Sequence, residues 1–357
     1  MRTTRFSFQS REMVSLLEGC LTGRGTSPRL ETRGPPAGSE DNARPDEEVS
    51  SWLASGTLER MSPVPARRPL TCLTDRLPLG RSGLRVSPVC LGMVPRPETV
   101  PAAFDAGINF FFLSADLHWP RYEGMRRGLE ALLARGGGVR DEIVVGVVSY
   151  LEQPLFQSFQ VQEVIDAVAG LDRIDLIIAG AVSSPASFHS RLDPMATARD
   201  IQFRGTRAIG ATFHSRRTAV TAATLDLLDI LYVRYNTAHP GARTDLFPLL
   251  PSGRTGRIFN FKSTMFKVTA GMLPGLGLPL ARDPFPDVSD YYRFALSRPE
   301  LDGLLASPST PEEVEALAAA LAKGSLLPEE EEHMLRLSSL AVTRGLFRGK
   351  KPIATSE

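Results

Sequence analysis

Lysine is almost missing from this chain: basic charge is nearly all arginine, and the first lysine is Lys262. Cysteine is as sparse. The three present, Cys20, Cys72 and Cys90, are an odd number without CxxC spacing, which argues against a disulfide scaffold and a thiolate zinc site and makes a reducing compartment the default. No apolar run reaches the roughly 18–20 residues needed to cross a bilayer. Residues 13–17 form the longest apolar patch near the N-terminus, but Ser15 interrupts it and Arg11 and Glu12 precede it, so it is too weak for a signal-peptide core. An excess of one charge is lacking too. Forty-one basic residues stand against 40 acidic, and a formal charge of +1 provides no field that would gather nucleic acid or an anionic membrane. What the 357 residues do have is 42% hydrophobic side chains, enough to bury a large core. These features lead to the expectation of a cytoplasmic enzyme or small-molecule-binding protein, with neither nucleic acid nor membrane as a partner.

Residues 22–50 are dense in Gly, Pro, Ser and charge and poor in large apolar groups, so they cannot offset the entropy of ordering and read as a linker. The segments SREMVSLLEGCL and EEVSSWLASGTLERM on either side can each form a short helix, marginal alone. Trp52 within the second is either a partner contact or an unremarkable packing residue, and no partner for this region is readable. Met61, just before a second proline-rich stretch, is an alternative start. The expected organisation is an extension over 1–75, mostly disordered with short helices, a folded domain over 76–345 and a flexible tail over 346–357.

From Leu77 onward, short apolar runs alternate with amphipathic segments, the mark of parallel βα units. Eight strands are expected at 89–93, 108–113, 143–148, 174–179, 207–212, 228–233, 257–261 and 301–306. Most lack period-two alternation, as strands covered on both faces should. Helices are expected at 121–134, 161–169, 218–225, 288–296 and 311–322; the last opens with Thr310, Pro311 and Glu313, an N-cap, a first-turn proline and an N3 acid. Eight such units predict an α/β fold, the (β/α)8 TIM barrel. Its functional groups then belong at the C-terminal ends of the strands.

The stretch RLPLGRSGLRVSPVCLGM (76–93) resembles the N-terminal hairpin and first strand of the aldo-keto reductases, and AFDAGINFFFLSADLHW (103–119) resembles their second strand. RIDLIIAG, RAIGATF, ILYVRYN and LLASPSTPEEVEALAAAL follow that family's later landmarks in order, so the resemblance covers roughly 76–340. It implies a β-hairpin cap on the barrel and NADPH-dependent carbonyl reduction by an aspartate, a tyrosine, a lysine and a histidine. Hydride addition builds charge on oxygen, which a proton donor and a nearby cation relieve. At the corresponding positions this sequence departs: Leu113 or Phe112 for the aspartate, His118 for the tyrosine, Val148 or Ser149 for the lysine and Gly180 for the histidine. On the cofactor side, Thr212 and Phe213 replace the family's Ser-Asn pair and Tyr232 its glutamine. Ser307 and Ser309 replace the glycine and arginine that meet the 2′-phosphate, and Leu317 replaces the asparagine at the adenine. A helix N-terminus there can still hold an anion, but without the arginine weak discrimination for NADPH (the cofactor NADP) is expected.

Polar residues at the expected strand ends are Asp116, His118 and Tyr122, then Ser149 and Tyr150, His214, Arg234, Tyr235 and His239, and Lys262, Ser263 and Thr264. His118 can deliver a proton near neutral pH without a lysine to tune it, which makes His118, Asp116 and Tyr122 the catalytic candidates. Thr212, Tyr232, Ser307 and Ser309 are the cofactor-binding candidates, and Trp119, Tyr150, Arg234 and Lys262 the substrate-binding ones. Asp116, His118, His214 and His239 supply metal-ligand atoms without ligand spacing, so a metal is not expected. Arg234 and Lys262 could form a pocket for a carboxylate or phosphate. His333 and His189 read as structural and surface residues. Two function classes stay open: an aldo-keto-reductase-like oxidoreductase with non-standard catalytic residues, and a catalytically altered pseudoenzyme or redirected barrel without nicotinamide turnover.

Overall fold

The computed structural model describes residues 66–114, 119–277 and 285–347. The expectations for residues up to 65 and for the tail from 348 onward lie outside the described residues. Within them, eight parallel strands close into a barrel in chain order: β1 Val89–Leu91, β2 Phe110–Ser114, β3 Val144–Ser149, β4 Leu176–Val182, β5 Ala208–Phe213, β6 Ile230–Arg234, β7 Arg257–Phe261 and β8 Gly303–Ala306, with β8 back against β1. An antiparallel hairpin, Leu77–Pro78 with Arg85–Val86, precedes the barrel. It is tied to the N-terminal end of β6 and β7, where Arg81 N–H donates to Asp229 (2.9 Å) and the Arg257 guanidinium to the Pro78 carbonyl (2.8 Å). This is the expected TIM barrel with a hairpin at its floor.

Every even-numbered strand begins two residues later than its apolar run suggests, and one cause covers all four. Asn109, Asp175, Asp229 and Asp302 stand immediately before β2, β4, β6 and β8, each behind a buried aliphatic residue (Ile108, Ile174, Leu228, Leu301). Their side-chain oxygens accept the backbone N–H at the start of the preceding strand, from Ser87 (2.7 Å), Val145 (2.8 Å), Ile209 (2.9 Å) and Ile258 (2.9 Å). The side chain takes up a donor that would otherwise be an orphan at the rim of the barrel.

Inside, the barrel is filled by rings meeting edge to face. Phe110 lies on Phe259 (6.0 Å between centroids), Phe259 on Tyr232 (6.0 Å) and Tyr232 on Phe112 (5.6 Å), with Phe112 tilted against Tyr122 (6.5 Å). Edge-to-face contact suits the ring quadrupoles. The Tyr232 hydroxyl donates to the Cys90 thiol (3.5 Å), and burial pushes the pKa of that thiol up. Such bulk requires bare backbone opposite: a Cβ on Gly303 would stand 2.2 Å from the Pro88 carbonyl oxygen and 2.5 Å from the Phe259 ring.

The outer helices Val288–Leu296 and Pro311–Ala322 match their expected spans, and Thr310 caps the second by accepting the Glu313 N–H. The helix Pro154–Ala167 starts earlier than expected, its proline at the first helical position. Thr99–Asp105 was not expected as a helix, being too short to display a period. The helix Pro185–Asp200 carries Pro194 in its interior and still buries Phe188, Leu192 and Met195, at helical spacing.

Candidate functional site

A cavity of about 410 Å³ opens at the C-terminal ends of the strands. Its floor is the top of the aromatic column, Phe112 and Phe261. The turn after β2 contributes Arg121 and Tyr122, and the residue after β3 contributes Tyr150. Ala181 enters at a bulge in β4, and Thr212 near the end of β5 and His214 just after it line the wall. The loop after β7 gives Lys262, Ser263 and Thr264; β8 gives Leu305 and Ser307, and the helix Val288–Leu296 adds Tyr292. Among the described lining residues there is no carboxylate.

Two of these positions hold backbone that side chains avoid. Ala181 and Lys262 adopt φ of +54° and +61°, the left-handed region. Such strain persists where the surroundings over-determine it. Thr212 fixes the first, its hydroxyl accepting the Ala181 N–H (2.8 Å). Asn236 fixes the second by donating to the Lys262 carbonyl (2.9 Å). Buried Arg191, on the helix Pro185–Asp200, donates to the Gly180 carbonyl (2.6 Å) and so braces the β4 bulge from behind.

Of the four positions that the resemblance assigns to acid–base work, the three described ones are apolar or filled. Leu113 and Val148 are buried, and buried Ser149 donates to Gln160 (2.7 Å). At Gly180 a Cβ would stand 2.6 Å from the Tyr150 ring, so the tyrosine claims the space in which a side chain there would lie. Tyr122 sits in the cavity wall as expected, but burial pushes its phenol pKa up, with Tyr150 and Cys90 adding to the rise. Asp116 and His118 lie outside the described residues, as does the Trp119 side chain.

Of the expected cofactor residues, Thr212 and Ser307 line the cavity. Tyr232 does not: the alternation of β6 turns it inward, fully buried beneath Phe112 and bonded to Cys90, so it is corrected from a cofactor contact to a barrel filler. Ser309 is spent locally, its N–H donating to the Glu313 carboxylate (2.7 Å) and its carbonyl accepting from Thr99 (3.3 Å). Leu317 is buried on the inner face of the helix Pro311–Ala322. Among the substrate candidates, Tyr150 and Lys262 line the wall, whereas Arg234 is half-buried at the end of β6 just behind it. Tyr235 points away from the mouth, stacked on Phe294 (5.1 Å) and accepting from Arg243 (2.7 Å). His189 is exposed on its helix, and the His333 ring pairs with Arg336 (3.1 Å). Arg121, Phe261, Tyr292 and Arg191 went unnoticed in the sequence; the paired Tyr291–Tyr292 on a helix that faces the barrel is the one signal that pointed to any of them.

Electrostatically the corner of the cavity at β5–β7 stands out. Burial first, then Lys262 and Arg234, lower the pKa of His214 to about 4. His239 is lowered to about 4 by burial and then by Arg234, Arg216 and Lys262; its Nδ1 faces Asn236 (3.2 Å) and its Nε2 is buried without a hydrogen-bond partner. Lys262 and Arg234 are themselves held below their ordinary values, by loss of water first and by a neighbouring arginine second. Among the described residues no group of three or more His, Cys, Asp and Glu could hold a metal ion, and no helix is long and apolar enough to cross a membrane.

No protein-family model and no curated protein matches the chain significantly. Solved structures do resemble it. An aldo-keto reductase from Bacillus halodurans, in its holo form, superposes with a TM-score of 0.56 at 14% identity over 74% of this chain and 96% of that one. Two structures of proteins assigned as aldo-keto reductases from Pseudomonas aeruginosa give TM-scores of 0.52 and 0.51 at 18% and 19% identity, over 71% of this chain and 97% and 96% of theirs. At such identities the likeness is one of architecture: the chain folds as the barrel that aldo-keto reductases share.

Proposed function

We propose that the chain is an aldo-keto-reductase-like oxidoreductase that takes a small carbonyl compound at the mouth cavity, together with a nicotinamide dinucleotide, and works with residues other than the usual four. The observation that carries this reading is the cavity itself: it lies at the strand ends of a barrel with that architecture and is walled by aromatic rings and by the hydroxyls of Tyr122, Tyr150, Thr212 and Tyr292.

The residues fit one form of the dinucleotide better than the other. Where a 2′-phosphate would be met, the first turn of the helix Pro311–Ala322 carries Glu312 and Glu313, and Glu313 already occupies the Ser309 N–H. Two carboxylates and a spent donor repel a phosphate, so the NADP expectation gives way to NADH. Bound in the cavity, the dinucleotide would supply the hydride. Thr212 and Ser307 are the described residues that would hold it. Tyr122 keeps its proton at neutral pH, as an ordinary phenol does and more firmly because burial raises its pKa, so it orients a carbonyl oxygen by hydrogen bonding. His118 is the proposed proton donor, on its position in the sequence.

A second reading, a ligand-binding barrel without turnover, is favoured by two features: the Tyr150 ring fills the space beside Gly180, and no cation among the described residues tunes Tyr122. Calorimetric titration with NADH and NADPH separates the two. The expected result is a binding heat for NADH, with NADPH no tighter, and loss of carbonyl-dependent NADH oxidation in His118→Ala. No heat with either dinucleotide at millimolar concentration would sink the oxidoreductase reading and leave the second.

A further inference from the structure

Many of the described arginines meet a carboxylate. Arg126 is shared by Glu123 and Glu130 (2.8 and 2.7 Å), Arg140 meets Asp175 (3.0 Å), Arg257 meets Asp302 (3.0 Å) and Arg243 meets Glu331 (2.6 Å). The corner where β5, β6 and β7 end instead gathers basic groups at the edge of a cavity. Arg234 and Lys262 have no carboxylate partner among the described residues, and Arg216 beside them is already committed to Asp245 (2.5 Å).

These cations are also convergent. Arg234 pairs in register with Phe261. The His214 ring packs on Phe261 (6.0 Å between centroids), and the Lys262 ammonium lies 5.5 Å from the same ring centre. One aromatic ring therefore carries two basic groups that line the cavity, with Arg234 beside it on the neighbouring strand and close enough to lower the pKa of both, while Arg121 lines the same cavity and no described acid does. Keeping partly desolvated cations together without a counter-charge is costly. The strained backbone at Lys262, clamped by Asn236, holds that side chain in place against this repulsion.

We infer that this corner binds the anionic group of a small organic ligand, a carboxylate or a phosphoryl group, between Lys262, Arg234 and His214. The ligand supplies the counter-charge that the fold withholds, and a guanidinium beside an ammonium suits a multi-oxygen anion. Loss of water first and neighbouring cations second lower the pKa values of all three groups, and a seated anion would raise them again. This takes from the proposed function only that the mouth cavity is where the ligand sits.

The test uses the full chain and simple anions. Inorganic phosphate and acetate are titrated by calorimetry, with and without NADH, into the wild type, Arg234→Gln, Lys262→Gln and Lys323→Gln, the last altering an exposed lysine far from the cavity. The expected result is saturable binding of at least one anion, weakened about tenfold or more in Arg234→Gln and Lys262→Gln and unchanged in Lys323→Gln. The stronger of the two anions identifies the ligand as carboxylate or phosphate. Ligand-free Arg234→Gln and Lys262→Gln should melt at or above the wild-type temperature, because a repulsion has been removed; a merely structural role would lower it. Absence of saturable binding, equal binding in all variants, or complete displacement by NADH (which would give the corner to the dinucleotide's own phosphates) would each overturn the inference. Anion binding that persists where NADH gives no heat leaves it standing while the oxidoreductase reading falls.

Discussion

The floor and the mouth of this barrel treat charge in opposite ways. At the floor, Asp175, Asp229 and Asp302 are buried or nearly so, and each carboxylate is saturated by a strand N–H and an arginine or a second N–H. At the mouth, cations stand together and no acid among the described residues lines the cavity with them. The floor spends its polar groups on closing the barrel, so its hydrogen-bonding capacity is used up. The mouth keeps unspent charge, and unspent charge is what a ligand can use.

Breaking the floor should give the largest effect. Asp175→Ala strands the Val145 N–H and leaves the largely buried Arg140 guanidinium without its inner partner, so a loss of about 3 kcal/mol in urea unfolding is expected. Asp229→Asn is the sharpening control. Burial raises the pKa of Asp229 despite its backbone donors, and an amide oxygen can still accept from Ile209, so a cost below about 1 kcal/mol is expected. If the two variants lose equal stability, the floor carboxylates are not acting as strand caps.

At the mouth, Gly180→Ala pushes a methyl to within 2.6 Å of the Tyr150 ring, and about 1–2 kcal/mol should be lost from forced repacking. Tyr150→Ala in the same chain should restore much of it. A double variant no more stable than Gly180→Ala alone would show that the ring is not what closes that space. The smallest effect concerns pH. The His239 pKa is depressed to about 4 from an ordinary 6.5, so between those values the unfolded chain takes up a proton that the folded one refuses. Its contribution is therefore complete above about pH 6.5 and lost as the pH falls toward 4. Melting temperatures across that range should fall less steeply in His239→Gln than in the wild type, and parallel slopes would exclude it as a source.

The barrel was legible because its strands are apolar on both faces and separated by helical segments, a pattern that survives loss of every detailed motif. Strand starts were misjudged because Ile108, Ile174, Leu228 and Leu301 look like strand residues, although the Asp or Asn that follows each one turns its side chain back onto the neighbouring strand. The repeated aliphatic–Asp/Asn pair was visible and is the signal that would have placed them. In the site, strand-end counting put Tyr122, Tyr150, His214 and Lys262 at the mouth, where they stand, and the family resemblance added Thr212. Strand-end counting also put Tyr235 there and the resemblance put Tyr232 at the cofactor, yet both face elsewhere, because a residue's facing depends on strand alternation, which short apolar runs do not reveal. Arg191 escaped because nothing in its own helix announces that its partner is a carbonyl on β4.

The stack of rings from Phe110 up to Phe112 makes the barrel a stoppered well, not a tube. With no route through the axis, water, protons and ligands all use one doorway. A bound molecule must leave before the next can enter, so turnover or exchange at this site is set by traffic through a single opening.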